Sequence, residues 1–209
     1  RNSESGLHVL HIRTLTDLLL HQLVQKTDRY QLDESDISLI STASALHDIG
    51  KIMIPEEILN KPGRLTEEEY ATIKTHTTEG SRILKGLAIG QDEPLVKVAH
   101  AICRWHHERW DGGGYPDRLK GDEIPIAAQV VALADVYDAL TSERCYKQAY
   151  SHEKAVDMIL HGECGSFNPL LMECLKESSE LLRTELQRSE YDRGFRHETR
   201  RLSEEILHR

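Results

Sequence analysis

Apolar side chains recur at helical spacing through most of this chain. Between Leu7 and Val24 they fall at Leu7, Leu10, Leu15, Leu18, Leu19 and Leu23, which predicts a first helix. Asp33 is placed to cap a second, with Asp36 three residues later as in a capping box. That helix carries Ile37, Ile40, Ala43 and Leu46 inward and is expected to end near Gly50. Thr66 with Glu69 repeats the signature and opens a helix through Tyr70, Ile73 and Ile83. Pro94 starts another, with Leu95, Val98, Ala99 and Ile102 on one face. Asp111 to Pro116 is a glycine-rich loop. Pro125 begins an apolar helix to Leu140, Ser151 caps one more, and Asn168-Pro169 caps the last. No useful run alternates with a period of two, so the expected fold is all-α.

From about Lys176 to Arg209 the pattern thins to Leu182, Leu186, Phe195, Leu202 and Ile206 among many Glu and Arg. This fits a solvated helix or a short coiled coil, with a frayed terminal helix as the alternative. The expected division is one domain over 1–175 and a charged helical extension over 176–209.

Composition narrows the function. The 209 residues carry a formal net charge of −9, which opposes non-specific binding to a nucleic-acid duplex. An anionic substrate would need metal ions or a few placed cations. The four cysteines, Cys103, Cys145, Cys164 and Cys174, form no CxxC pair, which argues against a thiolate zinc site and for free thiols in a reducing cytoplasm. No stretch approaches the roughly 20 apolar residues of a membrane span, and no signal peptide is visible. The chain opens at Arg1 without a methionine and reads as an excised, cytoplasmic domain.

The strongest chemical signal is His47-Asp48 at the end of an apolar helix. The pair offers an imidazole nitrogen and a carboxylate able to bridge two metal ions. It follows Ala43, Ala45 and Leu46, and a carboxylate buried there needs a counter-charge that a metal supplies. Lys51, three residues on, is placed to hold a phosphate oxygen or to serve the helix C-terminal dipole. Asp135 lies within Val130-Val131-Ala132-Leu133-Ala134-Asp135-Val136-Tyr137 and calls for ligation or an ion pair. Asp138 is placed to cap or to support from behind. His106-His107 stands just before the glycine loop. His76 and the i, i+4 pair Glu4 and His8 are weaker signals. Of twelve histidines, His11, His21, His100, His152, His161, His197 and His208 are left without a ligand role.

Taken in order, these residues resemble the HD-GYP family, a branch of the HD phosphohydrolases. The matching strings are His47-Asp48-Ile49-Gly50-Lys51, Lys74-Thr75-His76-Thr77, His106-His107-Glu108-Arg109-Trp110-Asp111-Gly112, Gly114-Tyr115-Pro116 and Ala134-Asp135-Val136-Tyr137-Asp138-Ala139-Leu140-Thr141. The resemblance covers roughly residues 4 to 175. It implies a compact helical bundle around two or three transition-metal ions, iron by preference, with manganese, nickel, cobalt or zinc as alternatives. It places His47, Asp48, His76, His106, His107 and Asp135 at ligand positions, with Glu4 and His8 matching the ligands of three-metal members. It puts Lys51 near the scissile phosphate, and Arg144 and Lys147 on the dinucleotide. Tyr115 lies in the loop that shapes the site and docks partner domains.

The implied activity is metal-dependent hydrolysis of a cyclic dinucleotide, cyclic di-GMP first and cyclic GMP-AMP as the alternative, to the linear dinucleotide and then the mononucleotide. Asp48 and Lys51 are the expected catalytic residues. Rival readings are a mononucleotide phosphohydrolase and a catalytically weak cyclic-dinucleotide receptor. A homodimer through the C-terminal helix and a partner signalling domain are further expectations. This chain departs from the family's usual strings at Leu7, at Cys145 in Arg144-Cys145-Tyr146 and at Asn168 in Phe167-Asn168-Pro169.

Overall fold

The computed structural model describes residues 3–87, 92–142 and 148–207, with side chains described within 6–188. Helices α1 (Ser3–Lys26), α2 (Glu34–Ser44), α3 (Glu56–Leu59), α4 (Glu67–Lys74), α5 (His76–Lys85), α6 (Pro94–Trp105), α7 (Ile126–Thr141), α8 (His152–Leu160) and α9 (Pro169–Leu207) follow one another. Two short 3₁₀ turns, Ile49–Met53 and Gly121–Glu123, interrupt the series. Among the described residues there is no strand, so the fold is the all-α bundle expected. No helix of the described residues is long and apolar enough to cross a membrane.

α7 is the axis of the bundle. It is apolar nearly all round, as a helix enclosed by others must be, and Val130, Val131, Leu133 and Ala134 are fully buried. α1, α6 and α8 pack against it; α2 joins α1 to α6, and α9 lies along α1 and α8. Three capping expectations hold. Asp33 with Asp36 and Thr66 with Glu69 form complete capping boxes, and the Ser151 side chain accepts from the Lys154 N–H.

Two helices are shorter than their apolar patterns. The helix opened by Thr66 breaks at Thr75 into α4 and α5. Around the break, Thr75 Oγ1 donates to Thr72 O at 2.6 Å, His76 Nδ1 to Ile73 O at 2.7 Å and Thr77 Oγ1 to Lys74 O at 3.0 Å. These side chains take carbonyls that the helical ladder would use, a known source of bends. Likewise α2 stops at Ser44, whose hydroxyl donates to Ser41 O, while His47 Nδ1 takes Ser44 O. Both breaks fall where a histidine turns toward the bundle interior.

α9 continues without interruption across residues 175 and 176, and Leu182 and Leu186 belong to the buried core. Leu10 and Leu95, read from spacing as members of apolar faces, are exposed. Cys103 and Cys174 are buried free thiols; Cys145 lies outside the described residues.

Candidate metal centre

Six histidines and carboxylates from five segments converge in two clusters, one of them on Asp135 of α7. His8 (α1), His47 (the turn after α2) and Asp135 (α7) form one cluster. His76 (start of α5), His106 and His107 (just past α6) form another. Within each cluster, one ligand atom from every member lies within 4.8 Å of the others. In the first, His8 Nε2 approaches His47 Nε2 to 3.2 Å, and Asp135 Oδ1 is 3.8 and 3.9 Å from these nitrogens. In the second, His76 Nε2 and His106 Nε2 are 3.4 Å apart.

Asp48 stands between the clusters. Its Oδ2 lies 3.3 Å from His47 Nε2, and its Oδ1 lies 3.4 Å from His76 Nε2 and 3.9 Å from His106 Nε2. One carboxylate thus turns an oxygen to each cluster. Lys51 Nζ donates to Oδ2 at 2.5 Å. Oδ1 is buried and has no hydrogen-bond partner. A buried anionic oxygen without a donor is costly, and a cation between the clusters would remove that cost.

The imidazoles are prepared for the same role. His47 Nδ1 donates to Ser44 O at 2.9 Å, His76 Nδ1 to Ile73 O at 2.7 Å, and His106 Nδ1 to Ile102 O at 2.9 Å. A carbonyl only accepts, so each Nδ1 carries the proton and each Nε2 keeps a lone pair aimed into the centre. Fixing the tautomer through the far nitrogen is how ligating histidines are oriented. Burial drives the ring of His106 down to about 3, and burial together with the neighbouring His106 and His76 holds His107 well below the usual range. Both stay neutral, as ligands must. Burial raises the Cys103 thiol to about 12, so it stays protonated and offers no thiolate. The donor set is therefore imidazole nitrogen and carboxylate oxygen, and it fits two transition-metal ions.

The glycine loop closes over this centre. The Tyr115 ring stacks on His107 with centroids 4.8 Å apart. The buried carboxylate of Glu108 accepts from Asp117 N at 2.7 Å and Leu119 N at 3.1 Å and so ties the loop to the end of α6. Gly114 lies so close to the chain below it that a Cβ there would come within 2.4 Å of Arg109 N. Glu108 was legible only as the neighbour of two histidines; its grip on the loop was not. The side chain of Glu4, and Arg144 and Lys147 entirely, lie outside the described residues. His100 accepts from or donates to Ser81 Oγ at 2.8 Å and joins neither cluster. His11, for which the pattern offered no role, is buried against Asp138 at 2.6 Å.

A profile of the HD domain family matches residues 11–167. The chain belongs to the HD domain family. Its His47-Asp48 pair and Gly114-Tyr115-Pro116 loop place it in the HD-GYP branch. A "Probable cyclic di-GMP phosphodiesterase" of Vibrio cholerae is 42% identical over 177 residues, 83% of this chain and 40% of that protein. A "3'3'-cGAMP-specific phosphodiesterase 2" of the same organism is 40% identical over 177 residues, 85% of this chain and 32% of that protein. This HD-GYP chain thus spans less than half the length of either relative. An HDG"Y"P protein from Bdellovibrio bacteriovorus shares the fold at a TM-score of 0.62 and 21% identity, over 88% of this chain and 54% of that one.

Proposed function

We propose that this HD-GYP domain is a phosphodiesterase that opens a cyclic dinucleotide, cyclic di-GMP in the first place, to the linear dinucleotide and then to mononucleotide. The observation that carries the reading is Asp48, one carboxylate oxygen toward each histidine cluster and one of them buried without a donor. The ligands are His8, His47 and Asp135 on one side, His76, His106 and His107 on the other, and Asp48 between them. Paired ions held by these residues would neutralise phosphate oxygens and lower the pKa of a water. The thiolate-free donor set suits iron, the metal we propose, or manganese; zinc, nickel and cobalt are the alternatives. A third ion reached by Glu4 is part of the proposal.

The protein's own groups do the rest. Lys51, already beside Asp48, is placed to meet a non-bridging phosphate oxygen and stabilise the charge that grows on it during attack. The Tyr115 ring over His107 narrows the entrance and offers a flat face to a base. Arg144 and Lys147 contact the dinucleotide. Residues 1–175 carry the catalytic domain, and 176–209 are a helical extension whose first turns still pack on its core and whose remainder serves a homodimer or a partner signalling domain. The setting is cytoplasmic.

Cyclic GMP-AMP is the second reading, because a relative named for that substrate matches almost as well as one named for cyclic di-GMP. Product chromatography after incubating iron- or manganese-loaded protein with each dinucleotide tests both. Linear dinucleotide is expected from wild type, and none from Asp48→Ala. Intact substrate in every wild-type reaction, with two ions bound, would leave only a receptor.

A further inference from the structure

Beside His8 lies a buried grip on Asp138, and neither Asp138 nor His11 has a place in the function so far. Asp138 sits three residues after Asp135 on α7 but turns elsewhere. Its Oδ1 lies 2.6 Å from His11 Nδ1 and accepts from Ser142 Oγ at 2.8 Å, and its Oδ2 lies 2.7 Å from His8 Nδ1. Asp138 and His11 are each 1% exposed. An ionised carboxylate only accepts. Both imidazoles therefore donate through Nδ1, and His8 is left with its Nε2 lone pair facing His47 Nε2 at 3.2 Å.

We infer that His11 is a positioning residue for the metal centre: by holding one oxygen of Asp138, it fixes the other against His8 and so sets the tautomer and orientation of that ligand. The inference rests on the metal-centre reading above. His11 is a costly choice for a position that merely needs filling. Its Nε2 is buried with no partner, an expense that a leucine would avoid. What leucine lacks is the donor toward Asp138. His11 also lines a cavity of about 280 Å³ with Tyr137, Ser142, His152 and Arg183, on the side of Asp138 remote from the ligands.

The test is a Mn²⁺ titration of metal-free full chain, with ions counted and affinities set by chelator competition. Wild type should take up at least two ions, one of them at the site that includes His8. His11→Leu keeps the bulk and removes the donor. It should weaken one ion roughly 10- to 100-fold, as loss of a supporting partner does, and leave the other unchanged. His11→Asn, whose Nδ2 replaces Nδ1, should restore most of that loss although it also lacks Nε2. ¹⁵N spectra of the imidazoles should show His8 protonated at Nδ1 in wild type and His11→Asn, and as a tautomer mixture in His11→Leu. If His11→Leu does not fold, Ser142→Ala and His11→Asn carry the test: Ser142→Ala should weaken the same single ion by a smaller factor. Equal weakening of both ions in His11→Leu, or equal losses in His11→Leu and His11→Asn, would make His11 a packing residue and overturn the inference. So would wild-type affinity in His11→Leu. Fewer than two ions in wild type would instead remove the metal-centre reading, and the inference with it.

Discussion

At the scale of single residues, proton and metal compete for the same lone pairs, and the two clusters are set differently for that contest. Burial lowers the His47 ring, but the Asp48 carboxylate beside it prevails and leaves the ring raised above the ordinary 6.5. In the other cluster burial dominates, and His76, His106 and His107 are all lowered. A protonated imidazole cannot ligate. As pH falls, the His8–His47–Asp135 site should therefore lose its ion first, and the His76–His106–His107 site only at lower pH. Metal content followed by equilibrium dialysis against buffers from pH 8 to pH 4 should show two steps. A single step releasing both ions together would refute this ordering. Most of the proposed ligands were legible in the sequence because they sit in short strings whose chemistry is local: His47-Asp48, His106-His107, and an Asp within an apolar run; His8 and His76 stood in no such string. The grip on Asp138 was not legible, since it joins residues 127 apart in the chain and no spacing rule spans that distance.

At the scale of elements, the centre depends on how closely the 3₁₀ turn Ile49–Met53 crosses α5. Gly50 makes the crossing possible. A Cβ there would fall 1.9 Å from His76 O and 2.5 Å from Gly80 N, both backbone atoms that cannot swing aside. The turn carries Lys51 and follows directly from Asp48, and α5 begins with His76, so this contact sets the Asp48–His76 distance. Gly50→Ala should force the two segments apart, cost about 1–3 kcal/mol or more as overpacking does, and lower metal affinity beyond what lost stability explains. Urea unfolding with and without Mn²⁺ measures both. An alanine variant with wild-type stability and metal content would show that the crossing is loose. Helix starts were readable from Asp33, Thr66 and Ser151, because capping is a property of four consecutive residues. The ends at Ser44 and Thr75 were not. Apolar spacing runs on past both, and hydroxyl and imidazole groups that claim nearby carbonyls override it.

At the scale of the whole molecule, a chain of net charge −9 wraps its carboxylate-bearing axis, α7, in helices that bring imidazoles to it from α1 and from the ends of α2 and α6. How far this bundle extends along α9 decides what the charged C-terminal stretch can be. Its composition points to a solvated helix from about residue 176, since Glu and Arg outnumber apolar residues there. Burial follows one stripe only. Leu182 is fully enclosed, whereas its neighbour Leu181 is 50% exposed. α9 touches α1 and α8 along that stripe, and α1 carries His8 into the metal centre. If the stripe is core, Leu182→Ala should destabilise the protein by about 2–5 kcal/mol, the usual cost of emptying a buried leucine. Leu181→Ala, made in the same helix with the same loss of carbon, should stay within roughly 0.5 kcal/mol. The pair separates packing from helix propensity, which both substitutions change alike. Denaturant unfolding of the two variants measures the difference. Equal, small effects would return the segment from 176 onward to solvent and end the core near residue 175; the expected split carries the core at least two turns further.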